Sequence, residues 1–249
     1  MKKLFDKNEV TFAIVLIIVY VLGSTLMVQL SGMIGIEFLA ETVFDVILFA
    51  LIAVFIAKNK LGEHLGLCRA EVPAGKMLFY IPLPIIAAVG VIFGFEPQYE
   101  PVTLALHTAS MLLVGFLEEI IFRGFLFRGM AKNNMTAAII VSAVTFGIGH
   151  IVNLLNGYDL ISSLIQIVFA VMVGFLLVFI FVRTGSLIAC IAFHSLNNIL
   201  SAFGSAQILV DLAGSEQGGQ LLNVGIRIVI AAAYLLFILG TTPKKTALK

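Results

Sequence analysis

The sequence predicts an all-α polytopic membrane protein of about eight transmembrane helices enclosing an intramembrane cavity, with both termini cytoplasmic. Composition is the first reason. Hydrophobic residues make up 61% of the 249 positions and charged residues 12%, with a mean hydropathy of +1.12, whereas soluble domains are about half apolar and about a quarter charged. Segment length is the second reason: eight apolar runs each come near the ~20 residues of helix that cross a ~30 Å hydrocarbon core. The placement of basic residues is the third, because cytoplasmic connectors carry an excess of Lys and Arg.

The runs are expected at residues 10–30, 38–57, 77–95, 103–127, 136–152, 160–182, 186–205 and 221–240. The first, starting at Val10, follows Met1, Lys2 and Lys3. It is too long for a signal-peptide core and lacks a small-residue cleavage site, so it reads as a retained helix. The second carries Glu41 and Asp45 one turn apart near its outer end, facing a watery vestibule, contacting substrate or sharing a proton. Between the second and third runs, residues 58–76 mix Gly, Pro and charge, which predicts a surface loop with a short interfacial helix. Eight spans with a cytoplasmic start put Lys2, Lys3, Lys58, Lys60, Lys132, Arg183, Lys244, Lys245 and Lys249 on or near the inner side. Only Arg227 falls toward the outer side. Residues 1–249 form a single transmembrane domain, with no water-soluble domain.

Several functions are disfavoured at this stage. A formal net charge of +1 and 15 scattered Lys and Arg cannot assemble a nucleic-acid face, so the partners expected are the lipid bilayer and membrane-associated molecules. Cys68 and Cys190 lie far apart without ligand spacing, which predicts free thiols. No strong internal repeat is visible, so the paired inverted halves of many secondary transporters have no support.

Ionisable groups inside a span cost about 2.5–3.5 kcal/mol each on insertion scales and mark function by default. Glu118, Glu119 and Arg123 lie in the fourth run, His150 in the fifth, and His194 and Asn198 in the seventh. At 1.5 Å per residue from the expected cytoplasmic ends, Glu118 lies about 15 Å deep, His150 about 20 Å and His194 about 12 Å, so all three can meet in one cavity. Asn198 is one turn beyond His194 on nearly the same face. Glu118 and Glu119 differ by about 100° around the helix and cannot do the same job. Glu119 with Arg123, four residues apart, reads as a structural ion pair, leaving Glu118 available for chemistry. His107 at the outer mouth of the fourth run and His64 in an inner loop are expected to face solvent. Gly115, Gly124, Gly147 and Gly149 flank the charged positions, where small residues let helices approach closely.

A carboxylate, two imidazoles and an amide in one membrane cavity can activate water and hold an oxyanion. Ser195 has no Gly-x-Ser-x-Gly turn around it, and no H-E-x-x-H zinc motif is present. Hydrolysis by activated water fits better than a covalent route.

The segments "EEIIFR" (Glu118 to Arg123), "FGIGH" (Phe146 to His150) and "HSLNN" (His194 to Asn198) resemble the three motifs of the CPBP intramembrane protease family, which joins CAAX prenyl proteases to bacterial relatives in bacteriocin processing and self-immunity. The resemblance covers about residues 115–200. It implies that the cavity is catalytic and that the substrate is a membrane-associated peptide or protein. It also implies that Glu118 with His150 activates water, that His194 and Asn198 form the oxyanion hole, and that Glu119 and Arg123 support them. The short chain and brief loops are more similar to the bacterial branch, which implies a bacterial plasma membrane. No cofactor is certain: Glu118, His150 and His194 are the expected ligands only if a metal such as zinc is used. Two alternatives stay open, a non-proteolytic membrane regulator of the same fold and a proton-coupled transporter.

Overall fold

The computed structural model describes residues 1–242, all of them in helices, turns and connecting loops apart from one isolated bridge between Phe95 and Gly204. Helix α1 (Lys2–Lys7) leads into α2 (Glu9–Ile34). Asn8 starts α2 by accepting a hydrogen bond from the Thr11 amide at 2.8 Å, and Gly35 ends it in the left-handed conformation at φ 81°. Phe12, Ala13, Leu16 and Tyr20 of α2 are buried, while Ile14, Ile18, Leu22 and Leu26 are exposed. An exposed face this apolar is stable only against lipid.

Helix α3 (Leu39–Lys58) returns beside α2. The connector after it is less of a surface loop than its composition suggests. Leu65 is fully buried, the Leu187 amide donates to the Gly66 carbonyl at 2.8 Å, and Ser186 donates to the Cys68 carbonyl at 2.6 Å. The third expected span is broken. A 3-10 turn, Ala74–Tyr80, contains Leu78, Phe79 and Tyr80 at positive φ, and the regular helix α4 covers only Pro82–Ile92. Pro82 lacks an amide hydrogen and opens a helix without loss.

Helix α5 (Pro101–Glu118) continues through a π-helical stretch, Glu119–Phe127, into α6 (Arg128–Ala131). Helix α7 (Met135–Gly149) starts at Asn134, whose side chain accepts from the Ala137 amide, and passes into a 3-10 turn, His150–Leu154. Helix α8 (Leu160–Thr184) is capped by Asp159 and buried along its second half. Helix α9 (Ile188–Leu200) follows after Gly185, then the short α10 (Gln207–Ala213) and α11 (Glu216–Thr241).

Seven helical stretches among the described residues are long and apolar enough to cross a membrane. The eighth expected span is shorter, Ile188–Phe203. One face of it is buried in the bundle, through Cys190, Phe193, His194 and Ser195, while Ile188 and Leu196 are exposed. Lys244, Lys245 and Lys249, used above to orient the C-terminus, lie outside the described residues.

Two glycines set the packing of the site. A Cβ at Gly115 would lie 2.6 Å from the Ser195 amide nitrogen, and one at Gly147 would lie 2.8 Å from the Val171 amide nitrogen. Both distances are too short for any side chain, so α5 meets α9 and α7 meets α8 at backbone contact. Gly149 has open space beside it and Gly124 makes ordinary contacts, so close approach explains only half of the glycine pattern.

Candidate active site

The change from α-helix to π-helix falls between the two glutamates. Glu118 is the last residue of α5 and borders a cavity of about 960 Å³, whereas Glu119 opens the π-helical stretch and is fully buried. π-Helical insertions are rare and concentrate at functional sites. Here Ser142 of α7 donates to the Phe122 carbonyl at 2.9 Å, tying this irregular backbone to its neighbour.

Glu119, Arg123 and His194 form a closed cluster behind the cavity wall. Arg123 Nη1 donates to Glu119 Oε1 at 3.0 Å, and His194 Nδ1 lies 2.9 Å from the same oxygen. The Arg123 guanidinium sits 4.1 Å from the centre of the Phe146 ring, a cation–π contact that offsets part of its desolvation. The His194 ring packs edge-on against Phe146, with ring centres 5.5 Å apart. Glu119 Oε2 and Arg123 Nε and Nη2 are buried without hydrogen bonds, so the cluster is balanced in charge but not fully satisfied in hydrogen bonding.

Glu118 connects this cluster to the cavity. Its Oε1 accepts a hydrogen bond from the Tyr20 hydroxyl at 2.7 Å; its Oε2 accepts none and lies 3.4 Å from His194 Nε2. His194 therefore stands between the two glutamates rather than on the cavity wall. Asn198, one turn further along α9, is on that wall, as is Asn197. His150, at the junction of α7 with the 3-10 turn, also lines the cavity and has Nδ1 at 3.4 Å from Gln166 Nε2. Ser195 donates to the Leu112 carbonyl at 2.9 Å, so its hydroxyl is engaged away from the cavity.

The conditional metal set does not close around a point. Among the described residues no group of three or more His, Cys, Asp or Glu is placed to hold an ion. His194 directs its two nitrogens at two different carboxylates and His150 directs Nδ1 at Gln166, so the residues as arranged do not fit a zinc centre.

Two wall residues that touch the site escaped the sequence reading. Tyr20, a single phenol in the apolar run of α2, positions Glu118; Gln166, a single amide in α8, faces His150. The signal for both is a lone polar side chain in an apolar helix, the same rule that found the glutamates. Arg227, expected toward the outer side, also lines the cavity. Helix α11 starts at Glu216 rather than near residue 221, which carries Arg227 about 16 Å along the helix.

Asp45 and Glu41 do not share a proton. Asp45 is buried and accepts from Ser110 at 2.6 Å, and Glu41 accepts from Ser31. His107 is buried rather than solvent-facing, because Phe38 and Tyr99 close over it with ring centres 4.9 and 5.3 Å away. His64 remains partly exposed, 3.6 Å from Glu9. At the outer loops of the cavity, burial holds the Tyr99 hydroxyl above its ordinary range, and hydrogen bonds from Ser162 hold the Asp159 carboxyl below its own. The mouth therefore presents both a neutral phenol and a charged carboxylate.

Fold and site together define a polytopic helical membrane protein with a carboxylate and imidazole site on the wall of a cavity between its helices. Residues 100–200 match the model of the family described as type II CAAX prenyl endopeptidase, Rce1-like. The three motifs resemble those of CAAX prenyl proteases. The matched stretch runs from α5 to the end of α9 and contains all of them. No curated protein and no solved structure matches the chain.

Proposed function

We propose that this protein is an intramembrane endopeptidase that hydrolyses peptide bonds of membrane-associated peptides or proteins, in a bacterial plasma membrane. One observation carries the reading: Glu118 sits on the cavity wall with one oxygen held by Tyr20 and the other accepting no hydrogen bond. A carboxylate held in place on a cavity wall, with its second oxygen buried beside an imidazole, is equipped to act as a general base.

In this mechanism a water between Glu118 and His150 loses a proton to the Glu118 carboxylate as its oxygen bonds to the scissile carbonyl carbon. Asn198 donates its amide hydrogen to the developing oxyanion. His194 takes a role other than the oxyanion donor that the family resemblance implies. Glu119 pairs with Arg123 and lies 2.9 Å from His194 Nδ1, so in this role Nδ1 donates to Glu119, and Nε2 faces Glu118 across 3.4 Å, where one proton can be shared. As the carbonyl reforms, the carbon–nitrogen bond breaks and that proton passes to the departing amine. Water adds across the bond, and Glu118 and His194 return to their starting states.

The test is cleavage of a library of membrane-associated peptides by the detergent-purified chain, read by mass spectrometry. Glu118→Gln is expected to lower turnover about 10²- to 10⁴-fold, the usual contribution of a general base. Undiminished cleavage by that variant would remove Glu118 from the mechanism. A wild-type chain that cuts nothing while moving solute under a pH gradient would replace the peptidase with a carrier.

A further inference from the structure

Arg227 is a cation at membrane depth with no anion beside it. No carboxylate among the described residues lies within 4.0 Å of its guanidinium, although Glu41, Asp45, Glu118 and Asp159 border the same cavity. Its Nε is buried without a hydrogen-bond partner. Phe169 of α8 supports one face of the group, 5.3 Å from ring centre to guanidinium carbon. Gly90 of α4 leaves room on another side, where any Cβ would collide with Nη2. The glycine and the aromatic ring thus hold the guanidinium in place without neutralising it.

We infer that Arg227 is an anion subsite of the cavity and receives a carboxylate of the bound peptide. A guanidinium presents a planar fork of donors that matches a carboxylate in two parallel hydrogen bonds. The chemistry of the wall favours a singly charged carboxylate over a phosphate, because the cavity already holds four acidic side chains and a dianion would be repelled more strongly. A volume of about 960 Å³ is large for a ligand site, about 300–1,000 Å³ being usual, and leaves room for a peptide to reach both Arg227 and Glu118. The carboxylate is either the C-terminus of the peptide or an acidic side chain within it. This inference rests on the peptidase reading only in taking the ligand to be a peptide.

Binding rather than cleavage tests it. The full chain carrying Glu118→Gln, so that no probe is consumed, is titrated in detergent with dansyl-Leu-Leu-Leu-Leu as the free acid and as the carboxamide. A third probe is the carboxamide with one Leu replaced by Glu, and fluorescence polarisation reports affinity. The free acid is expected to bind at least about tenfold more tightly than the carboxamide, the scale of one charge-assisted interaction. Adding Arg227→Gln should abolish that difference while leaving carboxamide affinity unchanged, which also shows that the fold is intact. Gly90→Ala, which displaces the guanidinium without removing its charge, should reduce the difference. Tight binding of the third probe would assign the carboxylate to a side chain, and weak binding to the C-terminus. Equal affinities for all three probes, including no binding of any, would overturn the inference, as would a preference for either carboxylate probe that survives Arg227→Gln. Acid selectivity in a chain that never cleaves peptides would leave the anion subsite standing and remove only the peptidase.

Discussion

Arg123 and Arg227 both lie within spanning helices and both rest against a phenylalanine ring, yet their surroundings differ in one respect. Arg123 has Glu119 four residues before it and is fully buried, whereas Arg227 has only the ring of Phe169 and opens onto the cavity. A charge compensated by its own helix belongs to the architecture. One left uncompensated beside a cavity is available to a ligand. The same division separates the glutamates: Glu119 is committed to Arg123 and His194, while Glu118 keeps one oxygen without a hydrogen bond.

Substitutions should separate the closed region from the open one. Arg123→Gln is expected to have the largest effect on folding, about 3–5 kcal/mol, because it strands Glu119 as a buried unpaired charge. Loss of folded protein in detergent, followed by thermal aggregation, would show it, and a variant as stable as the parent would break the comparison. Gly115→Ala comes next. Its methyl meets the Ser195 backbone, so a cost of about 1–3 kcal/mol is expected from overpacking, together with a fall in activity as α5 moves from α9.

Tyr20→Phe should lower kcat about tenfold at a stability cost of about 1–3 kcal/mol, since it leaves a second oxygen of Glu118 without a hydrogen bond. An unchanged kcat would mean that Tyr20 does not position Glu118. The smallest effect on stability is expected for Arg227→Gln: a thermal midpoint equal to the parent's or higher, because the insertion cost of a charge, about 2.5–3.5 kcal/mol, is offset by no partner. Marked destabilisation there would show that Arg227 has a structural role after all.

Much of this was legible along the chain. Apolar run lengths located the helices within a few residues, and the pairing of Glu119 with Arg123 followed from their spacing. The departures fall at helix ends, which apolar length does not locate: α9 is short, α4 begins after three residues at positive φ, and α11 begins at Glu216. The π-helical stretch is equally silent in the sequence, because part of its hydrogen bonding comes from a neighbouring helix, where Ser142 donates to the Phe122 carbonyl.

The sequence by itself determined that the chain enters a membrane as helices, and that Glu118, Glu119, Arg123, His150, His194 and Asn198 lie within them. Solvation sets both outcomes, since the cost of placing each side chain in hydrocarbon depends on residue type and local helix geometry alone. Only the tertiary structure decided which of these groups touch. It placed His194 between two carboxylates instead of on the cavity wall, gave Tyr20 to Glu118 and left Arg227 without an anion. Those contacts depend on how closely helices distant in sequence can approach, and the small residues at Gly115, Gly147 and Gly90 set that distance one pair of helices at a time.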